Sequence, residues 1–164
     1  MSIANEIGKW FDMNAEEITT HILENFQGTT LKHSYGERSF FYNPGNLLPR
    51  GTYFLTIKEH DGPNDKASQL DRENVFRLNF GASKETYISL FDEMPTRPPK
   101  GAHIEGPYDF TALDILMPHP VYGWSGWLCV LNPSVETFEN ILPLIQDYYR
   151  QAIIRFEKRT QAKT

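Results

Sequence analysis

Cysteine is almost absent: Cys129 is the only one in 164 residues, which excludes an internal disulfide and any zinc or iron–sulfur centre held by several thiolates. A reducing cytoplasm is the expected compartment. Positive charge is also in deficit, with 16 Lys and Arg against 21 Asp and Glu and a formal net charge of −5. The average field therefore repels phosphate backbones and anionic lipid, and nucleic acid is not an expected partner. No apolar run approaches the roughly 20 residues of a membrane span. The opening stretch MSIANEIGKWFDM is broken by Glu6, Lys9 and Asp12, so neither export nor membrane insertion is expected.

Signature motifs are missing too. The chain has no G-x-S-x-G elbow, no Walker or dinucleotide-type glycine pattern, no EF-hand loop and no H-E-x-x-H helix. His60, Asp61, Asp65 and Asp71 are chemically suited to metal, but their spacing fits none of the recognised ligand sets. No metal and no cofactor is expected. Cys129 lies among apolar neighbours in WLCVLN, where a thiol is normally buried and inert.

What is present suits a packed globule. Hydrophobic residues make up 40% and aromatics 13%, enough for one core in a single domain over residues 1–164. Asn14 and Glu17 form a capping-box pattern, and Ile18, Ile22, Leu23 and Phe26 follow at helical spacing, which predicts a helix over about 14–26. Residues 1–12 stand ahead of it as an extension, where Ile3, Ile7, Trp10 and Phe11 allow one short amphipathic helix. The runs TTLKHSY, RSFFYN and GTYFLTIK, separated by GE and PGNLLPR, predict an antiparallel meander. In the third run Tyr53, Leu55 and Ile57 share one expected face and Thr52, Phe54, Thr56 and Lys58 the other. Residues 59–74 read as a long charged loop, VFRLNFG as a strand and SKETYISLF as a helix capped by Ser83. The Pro- and Gly-rich segment after it reads as an exposed connection, DFTALDI as a helical turn or two, and WSGWLCVLN as a strand apolar on both faces. Ser134 opens a long helix to about residue 157, with a bend expected at Pro143.

Chemistry concentrates in two stretches. In DILMPHPVYGWSGWLCVLNP, Met117 and His119 each precede a proline, which biases both to extended backbone and holds the imidazole on a stiff hinge. The ring either closes the turn onto a nearby backbone group or faces a ligand, and Tyr122, Trp124 and Trp127 are either core or pocket wall. In the charged loop, Leu70 and Val75 bracket Asp71 and Arg72 with apolar residues that would dock them near the sheet. There Arg72 makes a structural ion pair or, with Lys58 and Arg77, supplies positive charge to an anionic group.

Two segments carry a resemblance: RGTYFLTIKEHDGPNDKASQLDRENVFRLNFG and DFTALDILMPHPVYGWSGWLCVLNPSVETF. Over roughly residues 14–157 the chain resembles an uncharacterised bacterial domain-of-unknown-function family, number 6194. DRENVFRLN, PHPVYGWSGW and VLNP match its motif-bearing parts, so Asp71, Arg72, Arg77, Asn79, His119, Tyr122, Trp127 and Asn132 correspond by position. That resemblance implies no activity. The element order, with "GW" and DYYRQAI, is more distantly similar to the MmcQ/YjbR-like proteins, which implies a frataxin-like α+β architecture with helices packed on one face of the meander.

The expectation is thus a cytoplasmic α+β protein, monomer or homodimer, that binds a small molecule or another protein. His119, Tyr122 and Trp124 would form one wall of the site, and Arg72, Arg77 and Lys58 would attract an anion. An enzyme with His119 as general acid or base, assisted by Tyr122 or Asp71, is the alternative. Weak DNA binding through a local basic surface is the third reading.

Overall fold

The computed structural model describes residues 12–34 and 36–161. The short helix expected within residues 1–12 lies almost wholly outside them. Helix α1 spans Ala15–Asn25 and opens as the capping pattern predicts: Asn14 Oδ1 accepts from the Glu17 amide at 2.8 Å, and Glu17 returns the contact to the Asn14 amide at 3.1 Å. Strands β1 (Thr29–Ser34), β2 (Glu37–Tyr42) and β3 (Thr52–Lys58) follow, then β4 (Arg77–Gly81), helix α2 (Lys84–Phe91), the two-residue β5 (Met117–Pro118), β6 (Trp127–Leu131) and helix α3 (Val135–Gln161). The strands form one six-stranded sheet in the order β1-β2-β3-β4-β6-β5, with every neighbouring pair antiparallel. This is the expected α+β arrangement built on a meander.

The principal core lies between one sheet face and the helices. Leu78 and Phe80 of β4 and Leu128 and Val130 of β6 are buried in one cluster with Ile18 and Ile22 of α1 and Phe138 and Ile145 of α3. Side chains alternate between the two faces along β4 and β6, so Arg77, Asn79 and Cys129 emerge on the opposite face. That face is not open. Ile104, Phe110 and Met117 close over Cys129 in a second, smaller apolar cluster.

Four expectations need correction. Strict alternation in β3 fails, because Phe40 pairs with Leu55 while Phe41 pairs with Tyr53, leaving Phe54 as the extra residue of a bulge. Phe54, Leu55 and Ile57 are therefore all fully buried, whereas Tyr53 is on the side of Thr56 and Lys58. The connection after α2 is not simply exposed: Ile104 is buried and its amide donates to the Pro120 carbonyl at 2.8 Å. DFTALDI forms turns and no helix. Asp109 Oδ1 caps the Thr111 amide at 3.0 Å, and Asp114 adopts a φ of 61° that a continuing helix cannot use. Finally, α3 runs on through Gln161, with Pro143 inside it and Ser134 as its cap.

No helix among the described residues is long and apolar enough to cross a membrane.

Candidate functional site

On the second face, β2 and β3, the turn at residues 62–65 and the hinge at residues 119–125 surround a cavity of about 530 Å³. That volume lies within the range of small-molecule sites, roughly 300–1,000 Å³. The β3 bulge is what brings Tyr53 into its wall, where the ring stacks on Trp127 with centroids 5.3 Å apart and planes 22° from parallel. Lys58, Asp65, His119 and Tyr122 line it as well.

Arg77 lies beneath this wall and is fully buried, with 0% of its surface exposed. A buried guanidinium needs acceptors for its fork of N–H groups, and the fold supplies them from three directions. Its Nε donates to Asn79 Oδ1 at 2.7 Å, Nη1 donates to Ser68 Oγ at 2.9 Å and to Asp65 Oδ1 at 3.0 Å, and Nη2 donates to Asp65 Oδ2. The Asp65 contact is thus bidentate, the strongest arrangement the two groups have. It ties the charged loop to the centre of the sheet.

The same Nη2 lies 3.2 Å from His119 Nε2. On the other side of the ring, the amides of Val121 and Tyr122 both donate to His119 Nδ1 at 3.0 Å. Every polar neighbour of this ring among the described residues is therefore a donor. Burial, followed by the charges of Arg77 and Lys58, pushes the imidazole pKa well below its usual range, so the ring is neutral and carries one N–H. Two convergent amides fix Nδ1 as the acceptor and leave the proton on Nε2. There Nε2–H and Arg77 Nη2 stand side by side with no acceptor between them.

The structure distributes the remaining candidates as follows. Lys58 lines the cavity with its Nζ 3.4 Å from Glu37 Oε2, and Tyr122 is 52% exposed at the rim, its ring centroid 5.1 Å from that of His119. Trp124 turns into a smaller neighbouring cavity, with the Arg97 guanidinium 4.7 Å over its ring. Arg72 and Asp71 are not in the His119 site. Both border a separate cavity beside the start of α1, where Arg72 donates to the carbonyls of Gln69, Ser68 and Thr111 and Asp71 contacts His60 Nδ1 and the Asp61 amide. Leu70 is buried as its apolar character suggests, but the two charged residues after it turn outward.

Sequence reasoning missed Ser68 and Tyr53 outright, and it missed the role of Asp65 and Asn79 as partners of Arg77, although Asp65 was weighed for metal and Asn79 matched by motif position. An arginine and an asparagine alternating with Leu78 and Phe80 in a strand is the one signal that could have found that role, since both must be satisfied if the second face is covered. Tyr53 was hidden by the bulge.

No curated protein and no solved structure matches this chain, and nothing ties it to the MmcQ/YjbR-like proteins. One family model does match, over residues 13–161, and it spans the sheet, the three helices of the described residues and every residue of the cavity described above. The chain belongs to the family of unknown function DUF6194.

Proposed function

We propose that the protein is a cytoplasmic binding protein for a small organic anion, held in the cavity between Lys58, His119 and the Tyr53–Trp127 stack. One observation carries the reading: His119 Nε2–H and Arg77 Nη2 are neighbouring donors that lack a common acceptor. An anionic oxygen seated there accepts from the imidazole and gains from the Lys58 charge. Charge-assisted hydrogen bonds in a partly desolvated site are about twice as strong as neutral ones. The stacked rings and Tyr122 then offer flat apolar surface to the rest of the molecule.

The arrangement favours binding over acid or base catalysis by His119. A general base needs a free lone pair, and the single acceptor nitrogen is occupied by two backbone amides. A general acid at neutral pH needs a proton it can release, which a neutral imidazole holds too tightly.

A thermal-shift screen of aromatic and aliphatic carboxylates and phosphates tests the proposal. A bound anion at a hundred times its Kd stabilises the wild type by about 2.7 kcal/mol. Lys58→Met and His119→Asn, each folded by circular dichroism, are expected to lose most of that shift. Equal shifts in all three proteins would remove the site.

A further inference from the structure

A second cavity of about 490 Å³ adjoins the first on the same sheet face and shares Glu37, Ser39, Phe41, Arg50 and Lys58 with it. Its far side is built by Lys32 and His33 of β1. The charges are unequal, because Lys32, Arg50 and Lys58 face the single carboxylate of Glu37, and that carboxylate already lies 3.4 Å from Lys58 Nζ. Lys32 Nζ donates to the Pro49 carbonyl, which orders its side chain without neutralising it. Arg50 has neither a hydrogen bond nor an ion pair among the described residues, although it stands where the two cavities meet. Phe41 borders both cavities, and its ring is 5.9 Å from that of Tyr53.

From this juxtaposition we propose that the ligand is an elongated organic dianion. One anionic end sits at His119 and Lys58, an apolar middle lies over Phe41 and Tyr53, and a second carboxylate or phosphate sits at Arg50 and Lys32. The inference rests on the anion reading of the first cavity and adds the length and second charge of the occupant. A guanidinium suits that second end because its planar fork grips a carboxylate or phosphate through two hydrogen bonds.

Calorimetric titration at constant ionic strength decides it. The probes are the straight-chain dicarboxylates from succinate to sebacate, the monocarboxylates of matching length, and the corresponding phosphonocarboxylates. Wild-type protein is expected to prefer one chain length, binding that dicarboxylate or phosphonocarboxylate at least about tenfold more tightly than its monocarboxylate. The tighter of the two dianions identifies the end group. Arg50→Ala is expected to collapse this preference by weakening the dianion several-fold more than the monoanion. Monocarboxylates that bind through Lys58 with no gain from a second charge at any length would overturn the proposal and leave the first cavity's reading intact. A dianion preference that survives Arg50→Ala would also overturn it. If no carboxylate binds, or if Lys58→Met changes nothing, the reading of the first cavity falls and the dianion falls with it.

Discussion

Arg77 and His119 are two buried polar residues that meet beneath the cavity, Arg77 wholly enclosed and His119 with one edge in the wall. Replacing Arg77 by Met removes every partner of a bidentate carboxylate and strands Asn79 Oδ1 in the interior, so a loss of about 3 kcal/mol is expected from urea unfolding. His119 makes the acid side of the stability curve steep. Its folded-state pKa is depressed, so in mildly acidic solution the unfolded ring takes up a proton that the folded ring refuses. Its stabilising contribution is complete above about pH 6.5 and is lost as the pH falls below that value, with a limiting slope near 1.4 kcal/mol per pH unit. Urea midpoints measured from pH 7.5 downward should show this slope in the wild type and a shallower one in His119→Asn. A shared slope would mean that other groups govern the acid response. At this scale His119, Lys58 and Arg77 were legible as polar residues in stiff or alternating contexts. Arg72 and Asp71 were misplaced because an apolar neighbour such as Leu70 fixes where the chain docks, whereas the next side chains are free to turn, Arg72 toward loop carbonyls and Asp71 toward His60 and the Asp61 amide.

At the scale of elements, strands and helices followed from periodicity and caps, and the exceptions have local causes. The β3 bulge inserts Phe54 and shifts the parity of the strand, which no alternation rule anticipates because both Phe54 and Leu55 are apolar. The last residue of β4 is a glycine for a packing reason: a Cβ at Gly81 would overlap the Tyr148 ring, which crosses from α3 to meet Trp127 edge-on at 5.8 Å. Gly81→Ala is expected to cost about 1–3 kcal/mol, as overpacked sites do. In a Tyr148→Ala background the same change should cost at least about 1 kcal/mol less, a coupling that a double-mutant cycle by chemical denaturation reads directly. Additive effects would place the strain elsewhere. Asn132, in the VLNP motif, has a φ of 43°, a left-handed conformation that asparagine tolerates. Its side chain accepts from the Phe76 amide at 2.9 Å and donates to the Asn74 carbonyl at 2.8 Å, which joins the end of β6 to the entry of β4. That explains the motif as a clamp, a role the sequence shows only as a polar residue before a proline.

For the molecule as a whole, the sheet is covered differently on its two sides. Helices with a large apolar cluster cover one face, while irregular chain anchored by Ile104 and Phe110 covers the other. Cys129 sits under the second cover with 0% exposure, and burial pushes its thiol up to about 12. A maleimide should therefore leave the native protein almost unlabelled at neutral pH. Reaction is expected to proceed through partial opening of the cover, faster than global unfolding measured by stopped-flow, and labelling at the global rate would show that both faces melt together. The one-layer sheet with helices on one side was legible from the order of elements. The second cover was not, because a proline- and glycine-rich segment with one isoleucine gives no period to read. This unequal cover divides labour in the chain. Cohesion is concentrated on the helical side, and the contours of the cavity are drawn largely by turns at residues 62–65 and 119–125. Such a scaffold can vary the outline of its cavity at the exposed turn positions Pro63, Asn64, Tyr122 and Ser125, while Asp65 and His119 in the same two turns stay tied to the buried Arg77 and hold the frame.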